Sequence, residues 1–426
     1  MTAEPASSTR HSTPPARIGL VQGTALYTCA ILGAGVLVLP GQVASLAGPA
    51  SLVAWALSAL LGVPLAFTFA ALASRMPDAG GVATYATRAF GRAAGAIAGW
   101  WYFIAVAVGH VVVPLTAGHY LCSAMDLGRG WAPVFGLLIL AVSIAANLAG
   151  VAVGSRLQIG LALGVAAILT TVIVVAIPQM RGTEFAPFAP AGIGGIGQAV
   201  VVLFFAFAGW EAIAHLSGEF RDVRRTLPQA TLLTVFIVTV LYLGVAAAVV
   251  GTGTYGDPGT DRISLGLIVA GGWGVAASGT IAVAAVVICL GTTHAFMHSV
   301  SRLGSALGRD GWAPKALAHE NSESVPVVSV LTVGGIGALG HVGSLIFGWQ
   351  TEDLVLIPAV LVLATYLVGT AAAVRLFSGR DRIVAVIALG FLLLTVPFTG
   401  WHIIIPIGMA LVIALAAFSA RRYSPR

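Results

Sequence analysis

Charge is what this chain lacks. Only 8% of its 426 residues are charged, and a single lysine, Lys315, occurs in the whole sequence. A soluble domain carries about three times that share of charge, so a soluble protein of this length is excluded. Cysteine is scarce as well. Cys29, Cys122 and Cys289 lie far apart with no metal-type spacing and read as small apolar residues. Neither G-x-x-x-x-G-K-[ST] nor H-E-x-x-H occurs, so the sequence shows no motif for nucleotide hydrolysis or zinc proteolysis. With no catalytic pair, the chain does not read as an enzyme, and no cofactor or metal is implied. The net charge of +6 is spread over many short segments rather than gathered in a patch, which argues against a nucleic-acid partner.

What is present is apolar. Hydrophobic residues make up 58% of the chain, and the mean hydropathy of +0.99 makes the lipid bilayer its solvent. The 53 glycines fit close helix packing, because small residues let backbones approach in lipid. The expectation is an all-α polytopic membrane protein with twelve transmembrane helices, at 19–46, 50–73, 93–122, 131–149, 155–178, 196–217, 229–251, 272–300, 325–348, 354–376, 383–399 and 401–420. The segment 263–271 reads as a re-entrant or surface piece. Residues 1–17, rich in Ser, Thr and Pro, read as a disordered tail and not a signal peptide; 421–426 form a second tail.

Basic residues fix an orientation. Eighteen of the 21 fall on one set of alternating loops, and only Arg129, Arg181 and Arg262 on the other. By the positive-inside rule the richer side is cytoplasmic, with both termini there and the protein multi-pass in the cell membrane.

Two spans are interrupted. Gly33-Ala34-Gly35, followed by Pro40, reads as a first span that unwinds and restarts, freeing backbone N–H groups beside a new helix N-terminus. Phe204 to Glu211 loosens the sixth span around Gly209. Glu211 lies roughly 9 Å from the inner end, at 1.5 Å per residue. It reads first as a fixed hydrogen-bond acceptor, second as a proton carrier, third as a side chain snorkelling to the cytoplasm. Taken alone, the glycine triplet is more often a packing face. Paired with a break five spans later, it points to a binding site at mid-membrane between two inverted repeats. Those repeats would be 18–178 and 195–377, with 382–420 as two added helices.

Histidines and aromatics carry weaker signals. His294 and His298, four apart, share a helix face but have no third ligand in nearby sequence. His110 and His119 lie on opposite faces of span three. Phe205, Phe207, Trp210 and Phe296 could line a pocket, though singly each is more often packing. No span interior carries an arginine, and Glu211 is the one acid within a span. The site therefore suits a zwitterion with a neutral or apolar side chain.

Four stretches, GAGVLVLPG at 33–41, MPDAGGVATYATRAFG at 76–91, FFAFAGWEAIAHLSGEFRDVRRTLPQA at 204–230 and SRLGSALGRDGWAP at 301–314, resemble the amino acid–polyamine–organocation (APC) superfamily of transporters, and within it the bacterial exporters of methionine and branched-chain amino acids. The resemblance implies a LeuT-like five-plus-five inverted repeat with discontinuous helices one and six. It implies that a substrate carboxylate meets the backbone at Ala34 and Gly35, and that its ammonium meets carbonyls near Ile31, Phe205 and Ala208. Phe205 then holds the place of a gating aromatic, Phe296 that of a side-chain contact, His110 that of a polar contact, and Glu211 that of an acid after the second break. Some proton-linked members carry a lysine in span five; the corresponding place here is near Gly164, with none available.

The expected function is secondary transport of a neutral, hydrophobic L-amino acid, favoured as export by proton antiport or by exchange, with H+ a candidate coupling ion. An uptake permease of the same fold is the nearest rival. A divalent-metal transporter using His294 and His298 is a rival of another class, and a membrane-embedded enzyme or receptor comes last. Oligomeric state is not legible.

Overall fold

A computed structural model describes residues 19–76, 81–151, 155–210 and 223–423. These residues are almost wholly helical, as backbone in lipid must be if its peptide groups are to be satisfied within the segment. Nine helical runs among them are long and apolar enough to cross a membrane. Twelve spans are expected from the sequence. Two of the nine runs, Gly35–Arg75 and Gly379–Leu415, are each a pair of helices joined by a tight turn. Two other helices fall short of span length because they stop at a break.

The first of these is α1 (Leu20–Ile31), followed after three residues by α2 (Gly35–Ala47). Leu32, with φ −72° and ψ 54°, forms an inverse γ-turn in which the Gly33 N–H donates to the Ile31 carbonyl at 2.7 Å. The second is α8 (Gly192–Leu203). Its end tightens into i→i+3 bonds from the N–H groups of Phe204, Phe205 and Ala206, and Gly209 then takes φ 125°, a conformation that favours glycine. The helix expected over 196–217 thus stops at Leu203. Residues 211–222, Glu211 among them, lie outside the described residues.

Around these breaks stand α3 (Ser51–Arg75), α4 (Val82–Phe90), α5 (Arg92–Ala124), α6 (Ala132–Leu148) and α7 (Ser155–Ala176). After α8 come α9 (Val223–Thr252), α10 (Ser264–Trp273), α11 (Val275–Arg309), α12 (Val327–Phe347), α13 (Leu356–Leu376), α14 (Gly379–Thr395) and α15 (Ile404–Tyr423). Helices α5 and α11 would each run about 50 Å at 1.5 Å per residue, longer than the hydrocarbon core, and they pack along one another. The expected re-entrant or surface segment is α10. It is not a surface piece: Leu265, Ile268 and Val269 are buried, and the helix packs on α7 and α11.

An aromatic knot fixes the breaks within the core. The Trp55 and Phe207 rings lie 5.0 and 5.2 Å from the ring of Tyr242, both edge-on, and Tyr27 meets Trp210 edge-on at 5.7 Å. Such pairs add about 0.5–1.5 kcal/mol each beyond the area they bury.

Candidate functional site

The two breaks meet. Gly35, the first residue of α2, faces Ala206 so closely that a Cβ on it would lie 2.9 Å from the Ala206 Cα. Each break frees peptide groups that are costly to bury without partners, and tyrosine hydroxyls from neighbouring helices supply some. Tyr242 on α9 points its hydroxyl at the carbonyls of Ile31, at 2.8 Å, and Ala206, at 3.2 Å. Tyr27 donates to the Trp210 carbonyl at 3.1 Å. The Gly209 N–H donates to the Tyr366 hydroxyl at 3.2 Å, and that hydroxyl lies 3.4 Å from the Phe207 carbonyl.

Beside this crossing is a cavity of about 60 Å³, room for several water molecules or the core of a small solute. Ile31, Gly33, Ala34 and Gly35 form one wall, and Phe205, Ala206 and Ala208 a second. Helix α5 contributes Tyr102, Ala105, Val106, Gly109, His110 and Val113. Thr292, Thr293 and Phe296 come from α11, and Pro358 and Val362 from α13. No aspartate, glutamate, lysine or arginine is among these wall residues. Ile31, Ala34, Gly35, His110, Phe205, Ala208 and Phe296, the seven residues expected at a substrate site, all line this one cavity.

The geometry refines what each can offer. The start of α2 leaves the Gly35 and Val36 N–H groups without intrahelical acceptors, while the Leu37 N–H donates to the Ala34 carbonyl, and the helix dipole adds partial positive charge there. The Ile31 carbonyl, by contrast, already accepts from Gly33 N–H and from Tyr242, which occupies both its lone pairs. Phe205 lies against α5, its ring 3.7 Å from where a Cβ on Gly109 would sit. His110 is buried with both ring nitrogens facing carbonyl oxygens: Nδ1 lies 2.6 Å from Val106 O and Nε2 3.1 Å from Thr293 O.

His294 and His298 do not join the wall. The Asn147 amide donates to His294 Nδ1 at 3.0 Å, and Arg302 Nε donates to His298 Nε2 at 3.2 Å. These contacts take up ring lone pairs and set a guanidinium beside the pair. No group of three potential metal ligands occurs among the described residues. Gly164 is exposed, and the buried face of α7 carries Ala162 and Val165, so the lysine of some proton-linked transporters has no titratable substitute at these positions.

Sequence reasoning missed the closure at the far end of α2. There Gly41 packs on the Asp261 backbone, and Ser45 donates to Asp261 Oδ1 at 2.8 Å. Burial raises the Asp261 carboxyl above its ordinary range, against hydrogen bonds from Ser45 and the Gly256 N–H that pull it down. Arg262 forms a largely buried ion pair with Glu352, and Gln42 donates to Thr351 at 3.1 Å. An arginine and an acid 90 positions apart give no pairing signal in one sequence.

The model of the family described as "Amino acid permease" matches residues 18–422. An uncharacterized amino acid permease of Bacillus subtilis is 32% identical over 394 residues, 92% of each chain. The L-methionine/branched-chain amino acid exporter of Escherichia coli is 28% identical over 391 residues, 90% of this chain and 92% of that one. A branched-chain amino acid permease of Lactococcus lactis is 29% identical over 340 residues, 72% of each chain. The chain belongs to the amino acid permease family of the APC superfamily, and it is a multi-pass membrane transporter.

Proposed function

We propose that the protein is a secondary active transporter of neutral, hydrophobic L-amino acids of the methionine and branched-chain type, working as an exporter by proton antiport or exchange. The observation that carries this reading is the convergence of two broken helices on one cavity whose described wall residues include no charged side chain. A zwitterion needs both signs of partial charge close together. The amides of Ala34 and Gly35 at the start of α2 receive the carboxylate, and unwound carbonyls near Phe205 and Ala208 receive the ammonium. Ammonium contact at Ile31 requires Tyr242 to yield one lone pair. Val113, Phe296 and Val362 meet an apolar side chain, and Phe205 gates the cavity.

In this reading the chain has twelve spans in a LeuT-like five-plus-five arrangement. Helices α1 and α2 make the broken first span, α8 begins the broken sixth, and α14 and α15 are the added pair. The bias of basic residues toward one set of loops supports a cytoplasmic position for both termini. Glu211 acts as a structural acceptor beyond the second break. The names of the E. coli exporter and the L. lactis permease support the substrate class and pull in different directions on the direction of transport.

The test is a thermal-shift screen of the twenty amino acids on purified protein, followed by counterflow in proteoliposomes with an imposed pH gradient. Stabilisation by leucine, isoleucine, valine or methionine, with flux that responds to the gradient, is expected. Stabilisation by lysine or glutamate alone would overturn the substrate class, and flux indifferent to the gradient would remove antiport.

A further inference from the structure

We infer that His110 is the proton-binding site of the transport cycle, taking up one H+ in the cavity and releasing it on the other side. This rests on the transporter reading above. An antiporter that exchanges substrate for protons needs a group that titrates near neutral pH where substrate binds. Among the described wall residues only Tyr102 and His110 titrate. A phenol does so near pH 10 and an imidazole near 6.5, so the histidine is the suitable one.

The contacts of the ring distinguish its two forms. A neutral imidazole carries one N–H, an imidazolium two. Both nitrogens of His110 face oxygens that can only accept, Val106 O on its own helix at 2.6 Å and Thr293 O on α11 at 3.1 Å. The neutral ring can satisfy one and must turn a lone pair toward the other. The protonated ring satisfies both. The balanced step is transfer of H+ from hydronium to the lone pair of Nε2, leaving water, and its reversal on the other side. The longer contact is the one that crosses between helices, so deprotonation at Nε2 removes that hydrogen bond between α5 and α11 and turns a lone pair toward Thr293 O.

That seam is joined to the substrate cavity. Thr292 lies against Gly33, 3.4 Å from where a Cβ would be, and Phe296 is one helical turn beyond Thr293 on the cavity wall. A proton that loosens or tightens Thr293 therefore acts on the residues around the first break.

Among the described neighbours, His110 is the group best able to hold the charge. From α12, Gly337 packs on the His110 backbone, and His341 follows one turn later. His341 is fully buried, and its ring reaches toward the His110 backbone without a well-formed hydrogen bond, so a charge there would be poorly compensated. On α11, His294 is engaged by Asn147, and Cys289 lies one turn from Thr293, whose hydroxyl it accepts through its carbonyl. On α5 itself the other titrating wall residue is Tyr102, while the wall residues of α13 are Pro358 and Val362.

The test measures protons moved per amino acid in proteoliposomes, using a trapped pH-sensitive dye and leucine or methionine as substrate. His110→Gln keeps a hydrogen-bonding side chain that cannot titrate. Its residual flux is expected to carry a proton-to-substrate ratio close to zero, whereas His341→Gln keeps the wild-type ratio. An unchanged ratio in His110→Gln would overturn the proposal. Should that variant fail to fold, the wild-type protein still decides. Its amino acid affinity is expected to weaken as pH falls from neutral to about 4, approaching tenfold per pH unit on the acid limb. Flat affinity across that range sinks the proton site while leaving the transporter reading intact. A wild-type protein that neither binds nor exchanges any amino acid sinks the transporter reading instead.

Discussion

Gly35 and Ala206 touch backbone to backbone where two broken helices cross. A side chain on Gly35 would meet the Ala206 Cα at 2.9 Å and its Cβ at 3.2 Å. The obstacle is main chain, which cannot swing aside as a flexible side chain does. Gly35→Ala is therefore expected to cost about 1–3 kcal/mol through overpacking and to lower the melting temperature in detergent. Gly35→Leu should abolish amino acid binding as well, because its side chain would occupy the space next to the first-turn amides. A thermal-shift titration with leucine checks both. Wild-type affinity in a folded Gly35→Leu protein would remove this break from the site.

Tyr242→Phe keeps the ring that packs against Trp55 and Phe207 but deletes the hydroxyl shared by Ile31 and Ala206. The Ile31 carbonyl keeps its bond from the Gly33 N–H but loses the second one, and the loss of a hydrogen bond costs about 0.5–1.5 kcal/mol. The substrate-free protein should melt at lower temperature by a matching amount. In the proposed binding mode an ammonium can take up the acceptor so released. The shift in melting temperature caused by saturating leucine should then be larger in Tyr242→Phe than in the wild-type protein. An equal or smaller shift would show that the ammonium does not approach Ile31.

These two residues also mark how far the sequence could be read. The glycine triplet at 33–35 is legible because glycine inside an apolar run carries backbone information directly, and the long apolar runs are legible because bilayer thickness sets their length. The end of α8 is partly legible. Gly209 announces a break, but the i→i+3 tightening that begins at Phe204 does not, since phenylalanine and alanine there look like any helix interior. Tyr242 and Tyr366 are illegible for a different reason. Their hydroxyls find partners 211 and 157 positions away in the chain, and nothing local marks one tyrosine in an apolar span as structural. His110 was placed by family resemblance, whereas the second carbonyl facing its ring, on α11, emerges only from packing.

Arg262 and Glu352 close the far end of α2 as an ion pair, with 8% and 33% of their side chains exposed. Removing one partner leaves a buried or half-buried charge alone. Breaking a buried pair costs about 3–5 kcal/mol, with the lower end fitting a carboxylate that is one-third exposed. Arg262→Gln should therefore cost about 3 kcal/mol, Glu352→Gln somewhat less, and the double variant clearly less than their sum. A double-mutant cycle of melting temperatures reads the coupling. Strict additivity would show that the pair is not coupled in solution. If this end opens during transport, the double variant should also expose α2, and a cysteine introduced at Ser45 should become more reactive toward a membrane-impermeant maleimide.

Asp261 carries the pH dependence of the same closure. Its folded carboxyl titrates above the ordinary aspartate range, first because of burial and further because Asp257 and Glu352 lie nearby. For a group whose folded pKa is raised, the associated stability is fully present below the unfolded value and is lost as pH rises through the folded one. At neutral pH Asp261 is therefore a net burden on the folded state, even though Ser45 and the Gly256 N–H donate to its Oδ1 at 2.8 and 3.0 Å. Asp261→Asn keeps an oxygen for both donors and removes the charge. Its melting temperature is expected to exceed that of the wild-type protein at pH 7 to 8 and to converge with it as pH falls below the ordinary aspartate range, where Asp261 is protonated in the folded and unfolded chains alike. Melting curves of the two proteins across that range provide the check. A variant less stable than the wild type at neutral pH would mean that the charge on Asp261 strengthens the Ser45 contact by more than its burial costs.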